Sequence, residues 1–323
     1  MILAAALFIF TYDDFSVRDS GEFISCSKVL GITHAPGGVV FTVLGRLFYS
    51  VLGVKGVNLL SAFFGLLCVY LIYKYCGQTY TALAGGAVFL FTENMFFYST
   101  IAETYTITLV FFLLMLYYQS RNTPLVMFSY GMSAIISPVN LILFFPFAIV
   151  PFRKEPVRAF FYLILPLPLV FYYYLRDLSQ VVLTHSDSTT IKGLLTLLTG
   201  ADFSVASNVL DISLSSIRQN LTDIFNLLMR QPLFYIFLIC SPFIYKDLRK
   251  RQISGRSVLF CAVFVIFFTS LSLPVARYTH FFLPLTCYIY ILLILFFQKL
   301  KYKKTVTLML SVLCVCFLVL NIP

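Results

Sequence analysis

The chain has 323 residues, of which 60% are hydrophobic, 18% aromatic and only 11% charged. An average soluble domain carries about 25% charged residues, so this composition excludes an ordinary water-soluble protein. Apolar runs of about 15 to 20 residues recur to the end of the chain, and they are continuous rather than alternating. This pattern predicts a polytopic all-α membrane protein and not a β-barrel.

The net charge of +10 could indicate a nucleic-acid-binding protein, but the positions of the basic residues argue against it. They lie in short gaps between apolar runs, as cytoplasmic loops do under the positive-inside rule. The gaps are 74–78, 120–123, 153–158, 246–256 and 299–304. We therefore expect no nucleic-acid partner, and we predict that these gaps face the cytoplasm.

The eight cysteines indicate neither a disulfide framework nor a metal site. Most lie inside apolar runs, and no pair has the C-x-x-C spacing. We interpret them as small hydrophobic residues of the core.

The chain opens with a short apolar segment, 1–11, which we interpret as the stub of a first transmembrane helix. A polar stretch follows, and then a half-apolar, glycine-rich segment at 37–55. The basic gaps share one side only if 37–55 does not cross, so we predict an interfacial or re-entrant helix on the outer face. The remaining apolar runs are 57–73, 79–93, 103–119, 124–137, 138–152, 157–176, 232–247, 257–274, 279–298 and 305–321.

These runs predict one integral membrane domain over 1–323 with about 10–11 transmembrane helices. Pro138 should divide two short helices by a tight turn. Two large segments then face outward, a first outer loop at 12–56 and a second at 177–231. In the second, apolar residues near helical spacing predict an amphipathic helix on the membrane surface: Val209, Ile212, Ile217, Leu221, Ile224 and Leu228. Asn220 in this helix opens a formal glycosylation sequon.

The acids and histidines gather on the predicted outer side. Of the thirteen acids, only Glu155 and Asp247 fall in cytoplasmic gaps. The three histidines, His34, His185 and His280, are also on the outer side. We infer that the protein acts at its outer face.

The densest polar stretch is DSGEFISCSKVLGITHAPGG, from Asp19 to Gly38. If a helix begins here, Asp19 and Glu22 project over its first turn. Two interpretations stay open: a capping box in which Glu22 bonds back to the N–H of Asp19, or a carboxylate that acts as a general base at the membrane surface. His34 precedes a Pro-Gly-Gly break that lets backbone approach a ligand, although a cap or surface role is the alternative.

Three stretches of the chain resemble one known family. The stretch DSGEFISCSKVLGITHAPGGVVFTVLGRLF is similar to a D-S-G-E…L-G-x-x-H-P-P-G pattern, with Ala35 in place of the first proline. STIAETYTITLVFF and IKGLLTLLTGADF are similar to the family's A-E-V-Y-x-L and T-G-x-x-F segments. This is the multi-pass protein O-mannosyltransferase-like family of the C-type glycosyltransferase (GT-C) superfamily.

The resemblance implies a GT-C-like fold with interfacial helices on the outer face. It implies a glycosyltransferase that moves a sugar from a polyprenyl-phosphate donor to an acceptor hydroxyl on the outer or lumenal face. The best-known relative suggests mannose and protein serine or threonine, and a glycan is the alternative acceptor. The family's first-loop acid corresponds to Asp19, which we predict to be the catalytic base, with Glu22 as second candidate. A monophosphate leaving group has less need of Mg²⁺ than a pyrophosphate, so we expect no metal and no cofactor.

Further donor-binding candidates lie at outer helix ends. In PVARYTHFFLP, Arg277 and His280 could bind the donor phosphate, because the arginine fork donates two hydrogen bonds. A snorkelling interfacial arginine is the alternative. Glu103 and Tyr105 could orient sugar hydroxyls, or Glu103 could be an acid favoured at a helix N-terminus. His34 and Arg46 complete the predicted donor-binding set.

Two other functions stay open, a membrane transporter and a non-catalytic, degenerate relative. Transporters usually have polar or broken helices in mid-membrane. Here the mid-helix positions are almost wholly apolar, which favours chemistry at the interface. We expect lipid-linked sugar, acceptor and membrane lipids as partners, in the plasma membrane of a prokaryote or the endoplasmic reticulum of a eukaryote.

Overall fold

A computed structural model describes residues 2–12, 19–34, 38–119, 121–179, 188–199, 213–231, 233–250, 254–269, 280–300 and 302–320. None of these residues lies in a β-strand, and most lie in helices. The predicted all-α class is confirmed.

The helices in chain order are α1 (Ile2–Phe10), α2 (Ser20–Val29), α3 (Val39–Tyr75), α4 (Tyr80–Leu90), α5 (Glu93–Thr100), α6 (Tyr105–Tyr118), α7 (Thr123–Ile136), α8 (Val139–Leu143), α9 (Phe145–Lys154), α10 (Pro156–Ile164), α11 (Phe171–Leu178), α12 (Ile191–Thr199), α13 (Leu214–Met229), α14 (Phe234–Lys250), α15 (Ser254–Thr269), α16 (Leu283–Phe297) and α17 (Lys303–Leu320). A 3₁₀ turn, Leu167–Val170, joins α10 to α11.

Three helical segments are long and apolar enough to cross a membrane: Val39–Tyr75, Pro156–Leu178 and His280–Phe297. The number rises to five if α5 with α6, bent by 115°, and α13 with α14, bent by 96°, each form one span. The described ranges also contain three shorter apolar helices, α4, α7 and α15. A multi-pass helical membrane protein is thus confirmed, and the larger total of about 10–11 crossings stays a prediction.

The element α3 consists of two helices that meet at a kink, close to the boundary that the sequence predicted near residue 55. Its 37 residues include Gly53, whose φ of 61° and ψ of −142° break the helical geometry. A positive φ is strained for residues with a side chain, so glycine is the residue suited to this break. The predicted boundary near residue 55 therefore corresponds to a bend inside α3, and the interfacial placement of the first part stays a prediction.

Two other local predictions can be compared with the structure. The tight turn at Pro138 is confirmed, because α7 ends at Ile136 and the next helix begins at Val139. A helix, α13, is present over the predicted residues Ile217, Leu221, Ile224 and Leu228, while Val209 and Ile212 lie outside the described residues. Its place on the outer membrane surface stays a prediction. Asn220 is 1% exposed within α13, so the folded chain hides the sequon.

The described thiols agree with the interpretation of the cysteines. All eight are free. Four are buried: Cys26, Cys68, Cys76 and Cys287. These side chains act as small hydrophobic residues in the packing.

Packing divides the chain into two compact units, and the predicted single domain over 1–323 stays a prediction. The first unit comprises Met1–Cys68, Phe97–Ile142 and Ala148–Ala206, and the second comprises Val69–Phe96, Leu143–Phe147 and Ser207–Pro323.

In the first unit, α2 lies directly against α3. The rings of Phe23 and Phe41 meet edge-on with centroids 5.4 Å apart. A methyl group at Gly45 would come within 2.3 Å of the Ser27 hydroxyl oxygen, so a residue without a side chain permits the close approach. This packing fixes α2, whose first turn carries the polar stretch.

In the second unit, α4 packs against α16 and α17. Phe89 contacts Tyr290 with ring centroids 5.4 Å apart. The hydroxyls of Thr81 and Thr307 lie 2.8 Å apart and link α4 to α17. Gln298 donates from Nε2 to the carbonyl of Cys76 at 2.8 Å, which ties the end of α16 to the end of α3.

Candidate active site

The polar stretch forms the start of α2. The helix begins at Ser20, and the carbonyl of Asp19 accepts hydrogen bonds from the N–H groups of Glu22 (3.0 Å) and Phe23 (3.1 Å). Asp19 therefore occupies the N-cap position through its backbone. Its carboxylate makes no capping hydrogen bond, so it stays available for other contacts.

The carboxylate of Glu22 holds His34, twelve residues further along the chain. Its Oε1 accepts a hydrogen bond from the backbone N–H of His34 at 2.5 Å, and its Oε2 lies 2.6 Å from Nδ1 of the ring. The predicted capping box is therefore wrong. Asp19 lacks the side-chain half of that motif, and Glu22 instead fixes both the backbone and the ring orientation of His34.

Asp19 faces the other edge of the same imidazole. Its Oδ2 lies 3.9 Å from Nε2 of His34, so each ring nitrogen has a carboxylate beside it. The Asp19 side chain is 53% exposed, whereas those of Glu22 and His34 are 23% and 24% exposed. Phe23, which is buried, packs edge-on against the ring with centroids 6.0 Å apart. The cluster thus has one wall of protein and one accessible carboxylate.

The acids around His34 change its proton affinity. The hydrogen bond that the Glu22 carboxylate accepts from the ring raises the pKa of His34 above its usual 6.5, and partial burial opposes this. The negative charges of Glu22, Asp19 and Glu103 raise the pKa of His34 further. The imidazole therefore holds a proton at a higher pH than a free histidine, because the charged form is stabilised by neighbouring anions.

The charge of Glu103, which is far away in sequence, also acts on His34. Glu103 lies just before α6 and is 1% exposed. Its backbone N–H donates to the hydroxyl oxygen of Ser61 on α3 at 3.2 Å. Tyr105 opens α6 and packs edge-on against Tyr98 with centroids 4.8 Å apart. Glu103 thus acts on His34 through its charge, and a site shared with Asp19 and Glu22 stays a prediction.

A thiol beside the cluster is unsuited to nucleophilic chemistry. Burial, together with the charge of Glu22, raises the pKa of Cys26 to about 12. A thiol with such a pKa stays protonated at neutral pH, and the thiolate is the reactive form.

Helix α11 fixes the loop that carries His34. Arg176 donates from Nε to the carbonyl of Leu30 at 2.7 Å and from Nη2 to that of Val29 at 2.8 Å. The hydroxyl of Tyr172 donates to Gly31 at 3.0 Å, and the hydroxyl of Tyr173 accepts from the N–H of Val39 at 3.1 Å. One helix therefore binds the chain on both sides of His34.

Sequence reasoning missed these three residues of α11. They lie at the end of the apolar run 157–176, where aromatic and basic residues are typical of any membrane interface. A basic residue in the last turn was the one available indication. The acceptors of Arg176 are some 146 residues away in the sequence, so no local pattern identifies them.

Arg46 lies at the opposite end of α2 from the acids. Its guanidinium donates to the carbonyl of Lys28 in the last turn of that helix. Lys28 lies six residues after Glu22, about 9 Å along the helix. This contact does not test the predicted role of Arg46 in donor binding, which stays a prediction.

Two predicted donor-binding residues remain, Arg277 and His280. Arg277 falls outside the described residues. His280 belongs to the second unit, where its ring contacts Phe281 with centroids 4.4 Å apart just before α16. Over the described ranges, no group of three or more His, Cys, Asp or Glu side chains could hold a metal ion. The donor roles of Arg277 and His280, and the expected lack of a metal, stay predictions.

The fold and this site together define the class of the protein, an integral membrane protein of several helices with an acid–histidine cluster in its first polar segment. Residues 19–79 match the family model of the protein O-mannosyl-transferase TMEM260 N-terminal domain. The matched region contains Asp19, Glu22 and His34, and it confirms the resemblance carried by the D-S-G-E stretch. No curated protein and no solved structure matches the chain. The matched domain indicates a glycosyltransferase.

Proposed function

We propose that the chain transfers a sugar, mannose in the first instance, from a polyprenyl-phosphate donor to an acceptor hydroxyl. The acceptor we favour is protein serine or threonine on the outer or lumenal face of the membrane. The match at residues 19–79 and the helices long enough to cross a bilayer support this proposal. The observation that carries it is the exposed carboxylate of Asp19 beside an imidazole that Glu22 holds in place.

In the proposed reaction, the acceptor oxygen attacks the anomeric carbon of the sugar. The bond from that carbon to the phosphate oxygen breaks, and the phosphate leaves with its lipid. The hydroxyl proton needs an acceptor within hydrogen-bond reach. Asp19 fits this role better than Glu22, because Glu22 uses both of its oxygens on His34 while Asp19 is 53% exposed.

Glu22 is then a positioning residue, and His34 is the group that it positions. A protonated His34 would supply positive charge near a departing phosphate. The raised pKa of His34 supports this form near neutral pH. The donor itself carries the leaving group, so the proposal invokes no separate cofactor.

The other donor-binding roles extend the same proposal. Glu103 and Tyr105 would orient sugar hydroxyls, since Glu103 contributes to the charge around His34. Arg277 and His280 would bind the phosphate of the donor, with the arginine donating two hydrogen bonds to its oxygens. In a eukaryotic host we expect the protein in the endoplasmic reticulum, and in a prokaryote in the plasma membrane.

The proposal is tested with purified protein in lipid nanodiscs. Polyprenyl-phosphate mannose, polyprenyl-phosphate glucose and nucleotide-linked mannose are each supplied with a serine- and threonine-rich peptide, and products are detected by mass spectrometry. We expect transfer from a lipid-linked sugar and none from the nucleotide-linked sugar. The proposal would be contradicted if only the nucleotide-linked sugar were transferred, or if no sugar were transferred from any of the three donors.

A further inference from the structure

A polar cavity lies in the first unit, away from the acid–histidine cluster. It has a volume of about 280 Å³ and lies where the turn between α6 and α7 meets the junction of α9 and α10. Its polar lining consists mainly of Gln119, Arg121, Asn122, Lys154, Glu155 and Arg158. Three of these side chains are cations and one is an acid, so the lining is positively charged.

The three cations are disposed differently. Arg158 donates to the carboxylate of Glu155 at 3.1 Å, which neutralises the acid. The guanidinium carbon of Arg121 lies 4.4 Å from the ring centroid of Tyr117. Cation–π stacking uses the flat face of the guanidinium, so the N–H groups at its edge can bind an anion. Lys154 has no carboxylate partner among the residues that the structure describes. Two positive charges therefore remain for a ligand.

Neutral donors also point to an anion. Nε2 of Gln119 is buried and has no hydrogen-bond partner in the described part of the chain. Such a nitrogen is costly to leave unpaired, so a ligand oxygen in the cavity would stabilise it. Helices α7 and α10 both begin at the cavity, and their N-terminal ends add partial positive charge.

The surface beside the cavity is apolar. On α10, Val157 is 84% exposed, Phe160 55% and Phe161 56%. These side chains are close in sequence to the cavity residues Glu155 and Arg158, and the chain spans the membrane. A lipid would place its acyl chains on this face and its headgroup over the cations.

From this arrangement, we propose that the cavity binds a phosphate group, and the apolar face of α10 favours the headgroup of an anionic lipid over a soluble phosphate compound. The site is separate from the proposed transferase site. Helix α6 runs from Tyr105, beside Glu103, to Tyr118, beside Gln119, and its fourteen residues span about 21 Å. The positive-inside pattern predicts that this end of α6 faces the cytoplasm.

The full chain is tested in detergent micelles that contain phosphatidylglycerol and phosphatidylcholine, with retained lipid counted by native mass spectrometry. We expect the wild type to retain phosphatidylglycerol in preference. The variant Arg121→Gln with Lys154→Gln should bind it about tenfold or more weakly, because two charge-assisted hydrogen-bond donors are lost. The control is Lys303→Gln with Lys304→Gln on α17, which removes the same charge from exposed positions.

The outcomes separate the sources of the phosphate. Retention of the lipid by the control but not by the cavity variant supports a headgroup site. If the wild type binds inorganic phosphate in the same measurement but retains no phosphatidylglycerol, the result supports a soluble phosphate ligand and overturns the lipid site. Equal loss in both variants, or no loss in either, overturns the proposal. If the double variant does not fold, Lys154→Gln alone serves, since that side chain is exposed. Binding equal to wild type in that variant also overturns the proposal.

Discussion

The two ends of helix α2 use charged side chains in opposite ways. At the C-terminal end, Arg46 and Arg176 donate to the backbone carbonyls of residues 28–30. At the N-terminal end, the carboxylates of Asp19 and Glu22 converge on the ring of His34, and Glu22 also accepts a hydrogen bond from the backbone N–H of His34. A cation at a helix C-terminus is a common stabilising device. Acids gathered on one imidazole at the surface are not needed for the helix.

This difference separates structural from functional charge within ten residues of helix. The arginines donate to carbonyl groups at the end of the helix that have no partner within it, so these hydrogen bonds stabilise the fold. The acids raise the pKa of a partly exposed His34 and leave one carboxylate open to solvent. Perturbed titratable groups of this kind are typical of functional sites. Substitutions at the two ends should therefore affect different quantities.

The largest expected effect is on sugar transfer by Asp19→Asn. Loss of a general base typically costs about 10²–10⁴ in rate. The melting temperature should stay close to that of wild type, because the side chain is exposed and makes no capping hydrogen bond. Glu93→Gln, at another exposed acid that begins a helix, is the matched control. Wild-type turnover in Asp19→Asn would remove Asp19 from the role of base.

The second effect is a pH-dependent loss of stability in Glu22→Gln. The raised pKa of His34 means that its protonated form stabilises the fold. That contribution is fully present below the usual pKa of 6.5 and is lost as pH rises through the higher pKa of the folded state. The gap in melting temperature between wild type and Glu22→Gln should thus be largest at acid pH and shrink toward alkaline pH. A gap that is constant or widens with pH would contradict this assignment.

A third prediction concerns Arg176→Gln at the other end of α2. Two carbonyls lose a charged donor, which should cost about 2 kcal/mol of the free energy of unfolding. Arg176→Lys should restore only part of this, because an ammonium lacks the planar fork that reaches both carbonyls. Denaturant titration measures the loss, and the pH profile of Glu22–His34 stability should keep its shape. A change in the shape of that pH profile would show that the two ends of α2 are energetically coupled.

The smallest expected effect is that of Arg46→Gln. An exposed cation beside the last turn of a helix contributes about 0.3–1 kcal/mol, so only a small drop in melting temperature is expected. The KM for a lipid-linked sugar tests the predicted donor role of Arg46 separately. A several-fold rise in that KM would support the donor role, and an unchanged KM would leave Arg46 only its bond to the carbonyl of Lys28.

Much of the secondary structure follows from hydropathy and a few breaking residues. The turn at Pro138 and helix α13 were predicted from local pattern, and both are present. The break at Gly53 agrees with the boundary predicted near residue 55, because two helices meet at a kink there. Local spacing also suggested a capping box for Asp19 and Glu22. That interpretation was wrong, because Glu22 binds His34, which lies outside the helix, and the Asp19 side chain makes no capping hydrogen bond.

The sequence by itself determined that the chain is helical, that it belongs in a membrane, and that its densest polar segment starts at Asp19, because these depend on composition and on spacing within one helix. The tertiary structure alone decided which acid binds His34 and that Arg176 fixes the loop. Those contacts join residues from 12 to 146 positions apart. They depend on how helices pack against one another, and a hydropathy pattern carries no information about the distances between separate helices.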